Sequence, residues 1–427
     1  MRPTIRRILR NTLFPVLALW LSACATTTAP APNTDVASLP PDIIAAPPAT
    51  PEPDASPSEP PEPISEPISE PEPTPLPVPE LIPEPAPIPA PIGAFANLAH
   101  WQTTDPTPAL KAFQKSCGRW NSRPDEKWLK PNLPKFGRYS DWRPACQAAA
   151  ALLPSRVNAV QFFQSHFEPV DIGADTGLLT GYYAPEIPVR RLASLEFSEP
   201  ILAKPADSKM QNLPRKDITV TTSKVLAYGR PVDVFFMQVQ GSGQIKFPDG
   251  AIYRAAFDGH NGHSYTSIGR VLIKRGEMTK DEASKQSIEA WMAKAGYLPT
   301  KKLMAENARY IFFKTEHIIA GEGPKGSSGL ALTDMGSLAI QPEYYPYGAL
   351  VWLEGKFPTG GGDYTGTDVG HLVVAQDTGG AIKGEKRGDV FFGSGDAAGD
   401  KAGVMKHRAK WTLFLPVALA LKLSPAS

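Results

Sequence analysis

A proline-rich segment near the amino terminus limits most strongly what this chain can fold into. Residues 30–91 hold about half of the 47 prolines in the 427-residue sequence, including the repeat Glu-Pro-Ile-Ser-Glu-Pro-Ile-Ser-Glu-Pro at 62–71. Proline fixes φ and removes a backbone donor, so such a segment cannot build a sheet or a helix interior. The sequence therefore predicts an extended tether of about 3.1 Å per residue, with the folded part starting near Gly93.

The residues before the tether have the pattern of an export signal. A basic stretch at 1–10 precedes the apolar run 13–21, which is too short for a membrane span. The run ends in Leu-Ser-Ala-Cys at 21–24, which resembles a bacterial lipobox. We predict that residues 1–23 are a lipoprotein signal peptide and that Cys24 is lipidated, with an ordinary signal peptide as the alternative. Ala25, rather than an aspartate, favours the outer membrane in such lipoproteins.

Two further cysteines, Cys117 and Cys146, follow in this chain, which is predicted to be exported. Because exported proteins meet an oxidising compartment, we predict a disulfide between them, with two buried free thiols as the alternative. The formal net charge is +1, so the composition gives no sign of nucleic-acid binding.

The apolar pattern predicts helices first and strands afterwards. Leu110, Phe113, Cys117 and Trp120 are spaced like one face of a helix, and 145–153 is predicted as a second helix. Strands are predicted at 177–185, 232–240 and 244–254, the last as a hairpin across Pro-Asp-Gly. Two more helices are predicted at 267–275 and 280–295. The apolar end, 411–421, is too short for a membrane span and is interpreted as a closing strand.

Two Asp-Thr-Gly triplets, at 175–177 and 377–379, suggest the paired aspartates of an aspartic protease. The downstream triplet follows the apolar strand 371–376, as such a site requires. The upstream triplet follows the turn-like Asp-Ile-Gly-Ala and precedes a bulky leucine, so the two triplets lack equivalent surroundings. We therefore disfavour the protease and interpret Asp175 as a turn residue.

Asp377 and Asp389 lie twelve residues apart in a glycine-rich segment and are the acids most suited to chemistry. Gly379 and Gly380 allow a ligand to approach the backbone closely. Asp389 stands at the start of an aromatic strand, a setting suited to a general acid. The alternative is that both are turn aspartates at strand ends.

A second polar cluster precedes these acids. Small polar residues end the predicted strand at 238–243, and amides, hydroxyls and rings fill the loop 258–270, a mixture that suits a polyhydroxylated ligand. His260 and His263 lack the helical i, i+4 spacing and the glutamate of a zinc site. We therefore predict no metal site and interpret these histidines as loop-capping residues.

Four motifs, in order along the chain, resemble the membrane-bound lytic murein transglycosylase A family. They are Thr-Gly-Tyr-Tyr-Ala-Pro at 180–185, Gln-Gly-Ser-Gly at 240–243, Asn-Gly-His-Ser-Tyr-Thr-Ser-Ile-Gly-Arg at 261–270, and Asp-Thr-Gly-Gly-Ala-Ile-Lys-Gly at 377–384 with Arg-Gly-Asp at 387–389 and Ala-Gly at 398–399. A weaker match is Ala-Arg-Tyr-Ile-Phe-Phe at 308–313.

The resemblance spans residue 93 to the carboxyl terminus and implies a mainly β fold with some α. Its catalytic domain is expected to be a double-psi β-barrel, 93–185 plus 318–427, interrupted by an inserted smaller β domain, 186–317. The signal peptide and the lipid-anchored, Pro-rich, disordered tether, 24–92, would precede it.

The same resemblance implies a peptidoglycan lytic transglycosylase, which cleaves the MurNAc–GlcNAc β-1,4 bond and forms 1,6-anhydro-MurNAc without water. It implies Asp389 as the single acid and base, with Asp377 beside it in the catalytic pair. The family's carboxyl-terminal module is named for three aspartates, and Gln341 stands at the first of these positions, which is therefore not expected to be essential. The residues expected to line the sugar subsites are Thr180, Tyr182, Tyr183, Gln240, Ser242 and Lys383.

The implied partners are peptidoglycan glycan strands, in the groove between the two domains, and the outer membrane of a Gram-negative bacterium through the lipid anchor. The protein would face the periplasm, and a complex of cell-wall synthesis or hydrolysis enzymes is left open as a partner. Two other functions stay open, namely a non-catalytic peptidoglycan-binding lipoprotein and a β-glycan hydrolase that uses two aspartates.

Overall fold

The computed structural model describes residues 87–423 of the chain. The predicted signal peptide, Cys24 and the tether up to residue 86 lie outside the described residues. Short 3-10 helices occur at Gly93–Asn97, Pro134–Phe136 and Arg215–Asp217. The α-helices are α1 (Thr107–Trp120), α2 (Tyr139–Ala150), α3 (Arg156–His166), α4 (Ser208–Gln211), α5 (Pro231–Gln240), α6 (Ile268–Lys274), α7 (Lys285–Ala295), α8 (Tyr297–Ala305), α9 (Asp396–Val404) and α10 (Val417–Leu423).

The strands of this part of the chain fall into two sheets. They are β1 (Phe167–Asp171), β2 (Gly177–Ala184), β3 (Glu186–Arg190), β4 (Glu199–Leu202), β5 (Val225–Gly229), β6 (Gly243–Lys246), β7 (Ile252–His260), β8 (Ile311–Glu316), β9 (Ser337–Ala339), β10 (Leu350–Phe357), β11 (Thr367–Asp377), β12 (Arg387–Ser394) and β13 (Lys406–Pro416).

The larger sheet closes on itself. Within residues 87–423 seven strands pair in the order β1-β13-β10-β11-β9-β12-β2, and β13 also pairs with β2. That extra pairing closes six of these strands into a ring, with β1 attached along the second half of β13. The pairs β2–β12 and β9–β11 are parallel, and the other pairs are antiparallel. The structure confirms the predicted mainly β fold with a barrel, whose closure leaves the ring without free edges.

The amino-terminal helices cover one face of this barrel with an aromatic core. Trp101 packs against Trp352 of β10 and Phe414 of β13, with ring centroids 5.3 and 5.7 Å apart, and all three are fully buried. Burying a side chain such as Phe414 stabilises the fold by about 1.5–3 kcal/mol.

Helices α1 and α2 are joined covalently. The apolar face predicted for α1 is buried, including Leu110 and Phe113. Cys117 of α1 forms a disulfide with Cys146 of α2, and their Cα atoms are 5.3 Å apart. The second predicted helix is part of α2, which starts six residues earlier than predicted and contains Pro144.

The smaller sheet lies between Glu186 and Glu316 along the chain. Among the described residues six strands pair in the order β4-β5-β3-β6-β7-β8 around a core that includes Ile245 and Phe313. The predicted hairpin is confirmed, because β6 and β7 pair antiparallel and Gly250, at φ 84°, makes the turn.

The strand predicted at 232–240 is wrong, because this segment forms α5. Its valines and phenylalanines favour strands locally, but Pro231 occupies the first helical turn, and Gly241, at φ 89°, ends the helix. Val234, Phe235 and Met237 are buried at helical spacing, so tertiary packing decides the conformation.

The other predicted elements agree more closely with the structure. Ser267 and Ser284 accept backbone hydrogen bonds as the N-caps of α6 and α7. The closing strand is correct up to Pro416, after which the chain turns into α10. Between residues 87 and 423 no helix combines the length and apolar character needed to cross a bilayer.

Candidate active site

Strands β11 and β12 bring two carboxylates to opposite sides of one short strand. Asp377 ends β11 and Asp389 lies in β12, and both are in register with Ala339 of β9. Because neighbouring strands are about 4.8 Å apart, the two Cα atoms lie about 10 Å from each other. The barrel therefore gathers the two predicted acids at one place.

One oxygen of Asp389 is held by the protein and the other is free. Thr180, opposite Asp389 on the parallel strand β2, donates its hydroxyl hydrogen to Oδ1. Arg387 donates to the same oxygen and also to Thr180 Oγ1, the latter at 2.8 Å. The Asp389 side chain is 21% exposed, and within residues 87–423 no hydrogen bond reaches Oδ2. Oδ2 is therefore the atom available to a ligand.

Both oxygens of Asp377, in contrast, are engaged. Oδ1 accepts hydrogen bonds at 2.8 Å from the Ser327 N–H, the Ser327 hydroxyl and the Thr378 N–H, and Oδ2 accepts one at 3.0 Å from the Tyr182 hydroxyl. Burial raises the pKa of the Asp377 carboxyl above its ordinary value, and these four hydrogen bonds oppose the rise because they favour the charged form. An acid whose oxygens are all occupied suits positioning better than proton exchange.

Tyr182 is hydrogen-bonded to Asp377 and lies close enough to Asp389 to be affected by its charge. Burial raises the pKa of its phenol well above the ordinary value, and the charges of Asp377 and Asp389 raise it further. Tyr182 therefore stays protonated and remains a hydrogen-bond donor to Asp377.

Tight backbone packing holds the Ser327 loop against Asp377. A Cβ atom at Gly326 would lie 2.7 Å from the Gln376 carbonyl oxygen and 2.7 Å from a Leu332 methyl, so no larger residue fits without a shift. The loop after Asp377 is tied down at its far end, where the Gly384 N–H donates to Gln341 Oε1 at 2.6 Å. Gln341 thus holds this loop through a neutral oxygen.

Segments next to the smaller sheet, between β7 and α6 and just before β8, place Tyr265 and Arg309 near the site. Burial is the main cause that raises the pKa of the Tyr265 phenol, and the nearby charge of Asp389 adds to the rise. Arg309 donates to the His263 carbonyl at 3.2 Å, and a Cβ atom at Gly380 would lie 3.9 Å from its guanidinium carbon. Phenol and guanidinium groups therefore face the two acid-bearing strands.

Of the predicted sugar-binding residues, Thr180 and Tyr182 contact the acids and the others lie elsewhere. Tyr183 points to the opposite face of β2, where it is 6% exposed and packs so closely on Gly399 of α9 that a Cβ there would lie 2.7 Å from its ring. Gln240 accepts a hydrogen bond from the Tyr183 N–H at 3.1 Å, Ser242 is half-buried beyond the end of α5, and Lys383 is exposed between β11 and β12.

Ser327, Arg387, Tyr265 and Arg309 are not among the predicted site residues. Arg387, Tyr265 and Arg309 lie inside motifs singled out in the sequence, whereas Ser327 does not. Its signal is the composition of Gly-Pro-Lys-Gly-Ser-Ser-Gly at 323–329, which is typical of a loop packed closely on other backbone.

Asp175 of the duplicate triplet and His260 both have partners in their own loops or at the surface. The Asp175 side chain is 81% exposed and pairs with Lys386, so no buried dyad with Asp377 exists. His260 Nδ1 accepts a hydrogen bond from the Gly262 N–H at 2.9 Å, which closes its own loop. In the part of the chain that the structure describes, no three His, Cys, Asp or Glu side chains group to hold a metal ion.

Two protein-family models match the chain. The MltA specific insert domain matches residues 178–314, and the 3D domain matches residues 336–415, which include both acids. The first match begins within β2, a strand whose partners β12 and β13 belong to the barrel.

Curated proteins are similar in sequence to this chain over about half of its length. Membrane-bound lytic murein transglycosylase A of Escherichia coli strain K12 is 36% identical over 241 residues, which cover 55% of this chain and 64% of that relative. The alignment thus spans less than two thirds of the relative's length.

Solved structures extend the similarity. A membrane-bound lytic murein transglycosylase from Agrobacterium tumefaciens has a TM-score of 0.65 at 27% identity and covers 77% of this chain and 98% of its own. E. coli MltA with bound chitohexaose has a TM-score of 0.56 at 30% identity and covers 71% of this chain and 88% of its own.

Proposed function

Because the chain belongs to the membrane-bound lytic murein transglycosylase A family, we propose that it is a lytic transglycosylase of peptidoglycan. The reaction would cleave the β-1,4 bond between MurNAc and GlcNAc and form 1,6-anhydro-MurNAc. The E. coli relative with bound chitohexaose supports a glycan as the ligand. The chemistry needs no cofactor.

The observation that carries this proposal is the unequal state of the two acids. A glycosidase that uses water normally needs one acid and a second carboxylate as base or nucleophile. Here Asp389 keeps Oδ2 free, whereas Asp377 accepts four hydrogen bonds. One free carboxyl is enough only if the substrate supplies its own nucleophile.

In the proposed mechanism Asp389 acts first as an acid and then as a base. The proton on Oδ2 passes to the glycosidic oxygen as its bond to the MurNAc C1 breaks, and GlcNAc leaves as the alcohol. The MurNAc C6 hydroxyl forms the new bond to C1, and Asp389 takes the proton of that hydroxyl. The carboxyl returns to its starting form, and no water is consumed.

The neighbouring side chains have supporting roles. Thr180 and Arg387 hold Oδ1 and so aim Oδ2 at the substrate. Asp377 fixes Tyr182 and Ser327 through its hydrogen bonds, which makes it a positioning residue. A sugar-binding role for Tyr183, Gln240, Ser242 and Lys383 stays a prediction.

The glycan would lie in a groove between a barrel domain, 93–185 plus 318–427, and the inserted domain, 186–317. This division agrees with the start of β3 at Glu186 and the end of β8 at Glu316.

The cellular location remains part of the proposal. We infer an outer-membrane lipoprotein that faces the periplasm, anchored through Cys24 and the tether, both predicted from the sequence. The relative from E. coli is named membrane-bound, which supports this location.

Mass spectrometry of peptidoglycan digested by the purified protein tests the proposed activity. Products that end in 1,6-anhydro-MurNAc are expected. Products with reducing ends would indicate a hydrolase instead, and undigested peptidoglycan would indicate a binding protein.

A further inference from the structure

A cavity of about 380 Å³ lies beside the Ser327 loop. This volume falls within the range of about 300–1,000 Å³ for pockets that hold small ligands. The end of α1, the start of α2, the Ser327 loop and the segment 342–347 form its walls. Its lining includes three cations and several hydroxyls, among them Arg119, Arg123, Lys130, Tyr139, Ser327 and Tyr347.

Two of the cations have no acidic partner. Within residues 87–423 neither Arg119 nor Arg123 forms an ion pair. The Arg119 guanidinium lies against the Ser327 loop, since a Cβ atom at Gly329 would be 3.2 Å from its Nη1. Lys130 is already used, because it donates to the Pro342 carbonyl at 2.6 Å. Both arginines are exposed to solvent where they line the cavity, and their positive charges have no acidic partner there.

Two carboxylates stand near the cavity: Asp377, which accepts hydrogen bonds from Ser327, and Glu343, which faces solvent. A hydrogen bond from its own backbone is the main cause that lowers the pKa of Glu343, and Gln341, Lys383 and Lys130 lower it further. The charged groups that act on Glu343 are thus Lys383 and Lys130. Arg119 and Arg123 therefore remain available to pair with a ligand.

A disulfide and several hydrogen bonds within the protein hold the walls of the cavity in place. The disulfide between Cys117 and Cys146 ties α1 to α2. Arg143 of α2 donates to the carbonyls of Trp120 and Arg123 at 3.3 and 2.9 Å and to the Asp125 carboxylate at 3.0 Å. The turn that carries Arg123 is therefore held in place, which lowers the cost of binding.

Ser327 connects this cavity with the acids. It lines the cavity and donates twice to Asp377. Asp377 lies about 10 Å from Asp389 by strand spacing. An extended peptide of four residues spans about 13 Å, which matches the distance from Asp389 past Asp377 to Ser327 at the edge of the cavity.

We propose that this cavity binds the carboxylate-bearing peptide branch that MurNAc carries in peptidoglycan, with Arg119 and Arg123 pairing with its carboxylates. The proposal rests on the proposed function and adds a preference for peptide-substituted glycan over bare glycan. A guanidinium fits a carboxylate through two parallel hydrogen bonds, a geometry that a sugar hydroxyl does not offer.

The double variant Arg119→Gln/Arg123→Gln tests this preference. Its release of anhydro products is measured on glycan strands with their peptides and on strands from which an amidase has removed them. We expect KM for the peptide-bearing strands to rise by about tenfold or more, because charge-assisted hydrogen bonds are lost, with kcat unchanged. Activity on stripped strands should not change, which also shows that the variant is folded.

Arg191→Gln/Arg275→Gln is the matched control. These exposed arginines pair with Asp249 and Glu306 in turns and helix ends between residues 186 and 317, and the double change removes the same charge. The control should behave like the unchanged protein on both substrates. An equal loss on both substrates for Arg119→Gln/Arg123→Gln, or no loss on either, overturns the assignment.

Direct binding separates this proposal from a failure of the proposed function. Calorimetric titration of the purified protein with a synthetic acidic tetrapeptide, and with its fully amidated counterpart, needs no catalysis. We expect the acidic peptide to bind the unchanged protein and the amidated peptide not to bind it. Binding of the acidic peptide should weaken at high salt and should be absent in the Arg119→Gln/Arg123→Gln variant. Binding without any anhydro product would reject the transglycosylase and keep the peptide site, whereas no binding of the acidic peptide overturns the site.

Discussion

The hydroxyl of Tyr182 donates a hydrogen bond to Oδ2 of Asp377 at 3.0 Å. Two residues earlier on the same strand, Thr180 donates to Asp389. Because side chains alternate along a strand, both donors lie on one face of β2. A single strand therefore sets the positions of both carboxylates.

The change Asp389→Asn removes the proposed acid but keeps its shape and its acceptor for Thr180. We expect the release of anhydro products to fall by about 100- to 10,000-fold, as is typical when a general acid–base group is lost. Thermal unfolding of the variant should match that of the unchanged protein. Asp175→Asn, at an exposed carboxylate that pairs with Lys386, is the control and should keep its activity. Full activity of Asp389→Asn would assign the acid to another residue.

The change Tyr182→Phe removes one of four donors to Asp377. We expect kcat to fall by about tenfold, because a hydrogen bond to a charged group contributes about 1.5 kcal/mol or more. Tyr183→Phe changes the neighbouring ring on the opposite face of β2 and should have a much smaller effect on kcat. Equal losses in the two variants would favour the sequence-based prediction that both tyrosines line the sugar subsites.

Asp377 should make stability depend on pH. Burial raises the pKa of Asp377 in the folded protein, so the folded state keeps this proton at pH values where the unfolded chain, with a pKa of about 3.9, has lost it. The stability from this group is therefore fully present below the unfolded pKa and falls as the pH rises through the folded pKa. We expect the free energy of unfolding of the unchanged protein, minus that of Asp377→Asn, to decrease from acid toward neutral pH in urea titrations.

The contribution of Asp175 to the free energy of unfolding should change with pH in the opposite direction. A hydrogen bond from Lys386 is the main cause that lowers the pKa of Asp175 in the folded protein. Its contribution is therefore present above the unfolded pKa and is lost as the pH falls. A difference that does not vary with pH for Asp377→Asn would contradict the raised pKa of that residue.

The change Gly326→Ala should separate the Ser327 loop from Asp377. The new methyl would meet the Gln376 carbonyl oxygen at 2.7 Å, and backbone cannot give way as easily as a flexible side chain. We expect a loss of kcat together with a lower midpoint of thermal unfolding. Gly118→Ala is the control, because nothing lies within 4 Å of its new methyl in α1. That control should stabilise the protein by up to about 1 kcal/mol, since alanine favours helix over glycine.

Removal of the disulfide by Cys117→Ser/Cys146→Ser should lower the free energy of unfolding by about 3–4 kcal/mol in the chain-entropy model. The two cysteines are 29 residues apart in sequence, so the bridge closes a substantial loop in the unfolded chain. Urea denaturation with and without a reducing agent measures the effect. The reductant should weaken the unchanged protein and leave the serine variant as it was; an unchanged protein that does not respond to reductant would show that the bridge contributes nothing.

Elements with strong local signals could be predicted from the sequence. The hairpin at Gly250 needs only a turn residue with positive φ between two apolar runs, and α6 needs only a serine cap before its apolar face. The conformation of the segment 232–240 could not be predicted in this way. Its β-branched and aromatic residues suit a strand or a buried helix, and burial against other elements decides between the two.

The sequence by itself determined that two acids lie close together in a glycine-rich segment after an apolar strand, and it carried the motifs of the family. Only the tertiary structure decided which acid is free. Besides the neighbouring Thr378 N–H, the donors to Asp377 are Ser327 and Tyr182, 50 and 195 residues away along the chain, while Asp389 keeps one oxygen open. The same folding placed Arg119 and Arg123 beside the Ser327 loop. The physical reason is that a carboxylate's chemistry depends on the groups that surround it, and strand pairing and packing set those groups without regard to distance in sequence.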